Sequence, residues 1–197
     1  MSKIGDFIVL NVLFVITCIP VITIGTSFCA LYDTCKKRLY DKESYVAKNY
    51  IAAWKENFKN ATIIWLFYLI LLPVLYLFSD FFAQNMNNVL IITAYFVVII
   101  CYIFSIIYAF PLQASFVNSP FRIIRNSIIT ALIWLPYSLV LAAVTVLPLA
   151  LTWLAPGALY FTLTYWLLFG FSLNAILSVL ITERVFVHYR EQTEEEN

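Results

Sequence analysis

The side chains with hydrogen-bonding chemistry in this sequence are mostly neutral and sit inside long apolar runs. Asn11, Thr17, Thr23, Thr26, Ser105, Gln113 and Asn174 stand among Leu, Ile, Val and Phe. Amides and hydroxyls so placed either bind an uncharged solute such as a sugar or hold helices together in lipid. The centres of the same runs lack the ionisable groups that proton- or ion-coupled chemistry needs at membrane depth. The single histidine, His188, lies in RVFVHYRE near the end of the chain. No HExxH, GxSxG or glycine-rich phosphate loop occurs, and there are only four glycines. Cys18, Cys29, Cys35 and Cys101 have no CxxC spacing and read as free thiols, without a metal or disulfide framework. The expectation is a chain that is not an enzyme and carries no cofactor.

The elements that position these groups follow from composition. Of 197 residues 63% are apolar and only 12% charged, with mean hydropathy +0.89. A soluble chain of this length cannot hide that much apolar surface, so lipid is its solvent. A net charge of +1 excludes a nucleic-acid binder, which needs a cationic surplus. A bilayer span takes about 20 apolar residues, and within lipid such segments must be helical. Five spans are expected, near residues 7–31, 61–78, 89–116, 128–151 and 160–181, in a single integral membrane domain over 1–190. The fold class is thus all-α, a polytopic membrane helical bundle. The first span is too long for a signal-peptide core.

Lys and Arg orient the bundle. Seven of the twelve lie in the first loop (Lys36, Lys37, Arg38, Lys42, Lys48, Lys55 and Lys59), with Arg122 and Arg125 before the fourth span and Arg184 and Arg190 after the fifth. The positive-inside rule predicts a multi-pass cell-membrane protein with that loop and the C-terminus in the cytoplasm. Five spans then leave the N-terminus outside, with Lys3 misplaced.

The first span contains a fault. In LNVLFVITCIPVITIG, Pro20 removes a backbone donor and frees the carbonyl of Ile16, and Gly25 loosens the helix again. Thr17 and Thr23 are placed to rebond freed carbonyls. A kinked single span is the first reading, in keeping with Pro73, Pro111, Pro136 and Pro148 in other spans. A re-entrant hairpin with both ends inside is the alternative. Either way, Gly25 and Ala30 suit close helix approach, and Thr23 suits an interhelical hydrogen bond.

The first loop carries a second pattern. In SYVAKNYIAAWKENFKN, Val46, Tyr50, Trp54 and Phe58 recur every four residues, with Lys48, Lys55 and Lys59 beside them. This predicts an amphipathic helix over 44–60, N-capped by Ser44, lying in the headgroup region or docking a cytoplasmic partner. KNATIIWL and RNSIITAL, 66 residues apart, hint at duplicated hairpins. The acidic end, 191–197, is expected to be a disordered tail.

Leu10–Asn11, IPVITIG (Ile19–Gly25), ALY (Ala30–Tyr32) and WKENFKNATIIWL (Trp54–Leu66) together resemble the YesL-like family of small bacterial membrane proteins. Looser similarity continues through FPLQASF and FGFSLNAILSVL. The family is a domain of unknown function, so no catalytic residues carry over. Its members look like integral membrane proteins of Gram-positive bacteria, often encoded beside sugar importers and carbohydrate-responsive regulators. The resemblance therefore implies an accessory role in carbohydrate uptake or sensing, with subunits of a sugar ABC importer or a sensor protein as partners. IWLPYSLVL departs from the family, which is often basic around that proline. A transporter or channel for a small neutral solute is the alternative function.

Overall fold

The computed structural model describes residues 3–43, 45–84, 88–154 and 159–195, and every regular element among them is helical. The helices are α1 (Lys3–Cys18), α2 (Ile24–Tyr40), α3 (Val46–Gln84), α4 (Val89–Ser115), α5 (Pro120–Ile133), α6 (Leu135–Leu154), α7 (Leu159–Tyr165) and α8 (Phe171–Glu195). A 3-10 turn at Val21–Thr23 precedes α2, and a π-turn at Trp166–Gly170 joins α7 to α8. The helical membrane bundle read from the sequence is the observed fold.

The first expected span, 7–31, is corrected. It is two helices folded back on each other. Asp6 at the start of α1 pairs with Arg38 near the end of α2, at 2.9 Å to Nη2 and 3.1 Å to Nε. In one continuous helix those residues would stand about 48 Å apart. Phe14 and Phe28 touch edge to face midway, with ring centroids 5.0 Å apart. Pro20 is extended (φ −75°, ψ 115°) and starts the reversal, as its missing N–H allows. Thr23 Oγ1 then donates to the carbonyls of Thr17 (2.7 Å) and Pro20 (2.8 Å), pairing backbone groups that the break would orphan. The apolar part of α1, from Phe7 to Cys18, rises about 18 Å, short of the roughly 30 Å hydrocarbon layer. The pair is a helical hairpin.

A second correction concerns the first loop. Most of it is helix: α2 continues to Tyr40, which places Cys35 in a buried helical position rather than a loop. The amphipathic segment 44–60 is not a separate interfacial helix. From Val46 it is the first part of α3, whose rise from Val46 to Gln84 is about 58 Å. Ser44 and its expected cap lie outside the described residues.

Among the described residues four helices are long and apolar enough to cross a bilayer: Val46–Phe82, Val89–Ser115, Leu135–Thr152 and Thr162–Val187. They correspond to the second to fifth expected spans. The fourth begins later than expected, because Trp134 (φ −103°, ψ 44°) separates α5 from α6. Pro136, two residues on, cannot donate to the carbonyl of Leu132. The two halves of the suggested repeat thus differ, since Lys59–Leu66 lies inside unbroken α3. At the C-terminus α8 continues to Glu195, so the described part of the acidic tail is helical.

Asp6, Lys36, Arg38, Ser115 and Glu183 meet at one end of the bundle.

Candidate functional site

Three features are built on this frame: a zipped ionic face, a helix face turned outward, and a neutral cavity. The ionic face comes first in the chain. Besides Asp6–Arg38, Lys36 Nζ lies 2.8 Å from Glu183 of α8 and donates to Ser115 Oγ of α4 at 3.3 Å. Lys37 pairs with Asp33 one turn back at 2.7 Å. Burial raises the Asp33 carboxyl above its ordinary value, an effect its Lys37 hydrogen bond and charge oppose. Burial pulls the Lys37 ammonium down, but its bond to Asp33 and the charges of Asp33, Glu43 and Glu56 together outweigh it and the net shift is upward. The hairpin brings Asp6, at the start of the chain, to these cations.

The outward face belongs to α3. Its buried seam runs Val46, Tyr50, Ala53, Ala61, Ile64 and Tyr68, packed on α1, α2 and α4. Val46 and Tyr50 of the expected headgroup stripe are therefore interior, Trp54 is half-buried against the core, and Phe58 is exposed. Four residues turn a helix about 400°, so a strict four-residue repeat drifts about 40° per step and leaves the face it began on. Lys48, Lys55 and Lys59 all point outward, with Ile51 and Phe58 exposed among them.

The hairpin anchors this frame. Gly25 is buried where α2 meets α3 and α4; a Cβ there would sit 2.5 Å from Trp65 Cβ and 2.8 Å from the Ala61 carbonyl. Ala30 is buried too. Thr23 bonds within the hairpin, not to another helix; the interhelical polar contacts come from Thr26, 3.1 Å from Thr62 Oγ1, and from Thr17, 2.6 Å from Tyr50 OH. Trp65 Nε1 donates to the Val21 carbonyl at the tip (2.7 Å).

Asn11, fully buried, holds the π-turn. Its amide nitrogen donates to the carbonyls of Trp166 (2.8 Å) and Leu167 (2.7 Å), and its Oδ1 accepts from Ser172 N (3.0 Å). A π-turn leaves backbone groups out of the regular ladder, and one carboxamide answers three of them.

Beside that turn lies a partly open cavity of about 250 Å³. Phe28, Leu31 and Tyr32 of α2 form one end, and Ile106, Phe110 and Pro111 of α4 form a wall. Trp166, Phe171, Asn174, Ala175 and Ser178 face them, with Trp65 and Thr145 between. Among the described residues no charged side chain lines it. Most of the polar side chains that line it donate to acceptors outside it. Asn174 Nδ2 donates to Val144 O (2.8 Å), Trp166 Nε1 to Thr152 Oγ1 (2.9 Å) and Thr145 Oγ1 to Leu141 O (2.8 Å). Thr182 donates to Ser178 O (2.7 Å), which leaves the Tyr32 hydroxyl to donate to Thr182. Among the described residues no three His, Cys, Asp or Glu side chains gather as a metal site.

Residues 7–81 match the family described as "Protein of unknown function, DUF624". No curated protein and no solved structure matches the chain.

Proposed function

We propose, from the match of residues 7–81 to the DUF624 family and the YesL-like resemblance it agrees with, a non-catalytic membrane protein accessory to carbohydrate uptake or sensing. Its cationic face looks into the cytoplasm, as the positive-inside rule requires. The observation that carries this reading is the outward face of α3, where Lys48, Lys55 and Lys59 surround the exposed Ile51 and Phe58. The opposite side of the same turns is fixed in the core, so this face is rigid and pre-organised for a partner. Partners in this reading are subunits of a sugar ABC importer or a sensor protein. Native co-purification from cells grown on different sugars is the test. Importer or sensor subunits should be recovered with the wild type and lost when Lys48, Lys55 and Lys59 are changed to Glu. Recovery of the protein alone, or partners retained by the triple variant, would refute the proposal.

The alternative, a path for a small neutral solute, would run through the cavity. Its mainly apolar lining argues against it, because a hydroxyl-rich solute would leave most of its own groups unpaired there. Sugar flux in proteoliposomes, abolished by Trp166→Ala with the fold intact, would reverse this preference.

A further inference from the structure

We propose that the cavity beside the π-turn holds the acyl chain of a membrane phospholipid, a binding role independent of the docking face on α3. The lining is mainly aromatic and aliphatic, and most of its few polar side chains bond to groups outside it. A chain of methylenes asks for no hydrogen bonds and fills such a space, whereas a sugar would need a partner for each hydroxyl. The geometry also supplies an entrance. Toward the ionic face the walls close: Tyr32 bonds Thr182, and Phe116 of α4 packs on Phe186 of α8 with centroids 5.3 Å apart. Away from that face, α4 has no buried side chain from Val89 to Phe104, and its exposed residues are the kind that lipid solvates. The cavity is partly open, and its α4 wall, from Ile106 to Pro111, begins where that lipid-facing stretch ends.

The test uses the full chain in nanodiscs of phosphatidylethanolamine and phosphatidylglycerol, doped with phospholipid bearing a diazirine in its acyl chain. After irradiation, adducts are mapped by mass spectrometry. Labelling at Phe110, Trp166 and Ala175 should exceed that at the outward Phe96 and Val97 by about tenfold, the ratio that a preference of roughly 1.4 kcal/mol gives. Ala175→Phe, which fills the space, should remove the excess while labelling at Phe96 and the unfolding temperature stay unchanged. If that variant is not monodisperse, Ser178→Leu, intruding from the same wall, is read instead. Equal labelling of cavity and outer face, excess labelling that survives the filled variant, or displacement of the label by a monosaccharide would overturn the proposal.

Discussion

The two halves of the long helices are held by different solvents. On the ionic side, α3 buries Val46, Tyr50, Ala53, Ala61, Ile64 and Tyr68, and α4 buries a run from Tyr108 to Gln113 after Ser105. On the far side, no described side chain is buried in α3 beyond Tyr68 or in α4 before Ser105. The difference lies in residue type. The inner half has small or hydroxylated residues at its contacts: Gly25, Thr26, Ser27, Ala30, Ala53, Ala61, Ser105 and Ser127. These let backbones approach and exchange hydrogen bonds, such as Ser105 to Ser127 at 2.7 Å. The outer half is Leu, Ile, Val, Phe and Tyr around most of its circumference, and lipid, as apolar as those side chains, gives them little reason to prefer each other. Structure in the inner half is specified by packing, and in the outer half mainly by length and hydropathy.

The largest expected effect is a change of side, and it tests the hairpin on which the inner half depends. In a background without native thiols, Ser2→Cys should react with an impermeant maleimide from the same face as Lys48→Cys and opposite to Val89→Cys. Labelling of Ser2→Cys with Val89→Cys would restore a spanning first helix and dissolve the comparison.

Next comes a contrast between two enlargements to leucine. Gly25→Leu drives a side chain into Trp65 Cβ and the Ala61 carbonyl, at 2.5 and 2.8 Å from the first added atom. It should destabilise the protein by about 3 kcal/mol, the upper range for overpacking. Ala94→Leu, on the exposed far side of α4, should stay within about 0.5 kcal/mol. Thermal unfolding of both in one detergent decides the matter, and similar losses would show that the far half is packed as well.

Much of this contrast was legible in the sequence, though not all. Span positions after the first follow from apolar length, and the gathering of Lys and Arg follows from their distribution. The hairpin was legible only as an alternative, because Pro20 and Gly25 serve a kink and a reversal equally well; what decides is Asp6 meeting Arg38, a contact between residues far apart in the chain. Asn11 was recognisable as a polar residue in an apolar run, but its partner is an irregular turn more than 150 residues away, which no local pattern announces. The α3 face was misassigned at Val46 and Tyr50 because four-residue spacing resembles a stripe over two turns and departs from it over four.

Asn11→Ala should therefore be costly out of proportion to its size. It strips partners from two carbonyls and one N–H around the π-turn, and buried groups left unpaired cost about 1–3 kcal/mol each before relaxation. Partial reversion of the π-turn to α-helix recovers some of this, so a net loss of about 2 kcal/mol is expected. Amide exchange should quicken at Ser172 first. Unchanged protection there would mean the turn stands without Asn11.

The smallest effect separates the charges from the packing around them. Asp6 and Arg38 both have little exposed side chain, so removing either one alone leaves its partner poorly solvated, and single substitutions overstate the pair. A cycle of Asp6→Asn, Arg38→Gln and the double variant isolates their coupling, expected at about 1 kcal/mol. Because the hairpin is also held by Phe14 on Phe28, Thr23 across the break and Trp65 at the tip, the double variant should keep Ser2→Cys on the face it shares with Lys48→Cys. If neutralising the pair releases that end of the chain, the ionic face closes the hairpin; if the side holds, apolar and hydroxyl contacts fold it and the charges mark which face stays in water.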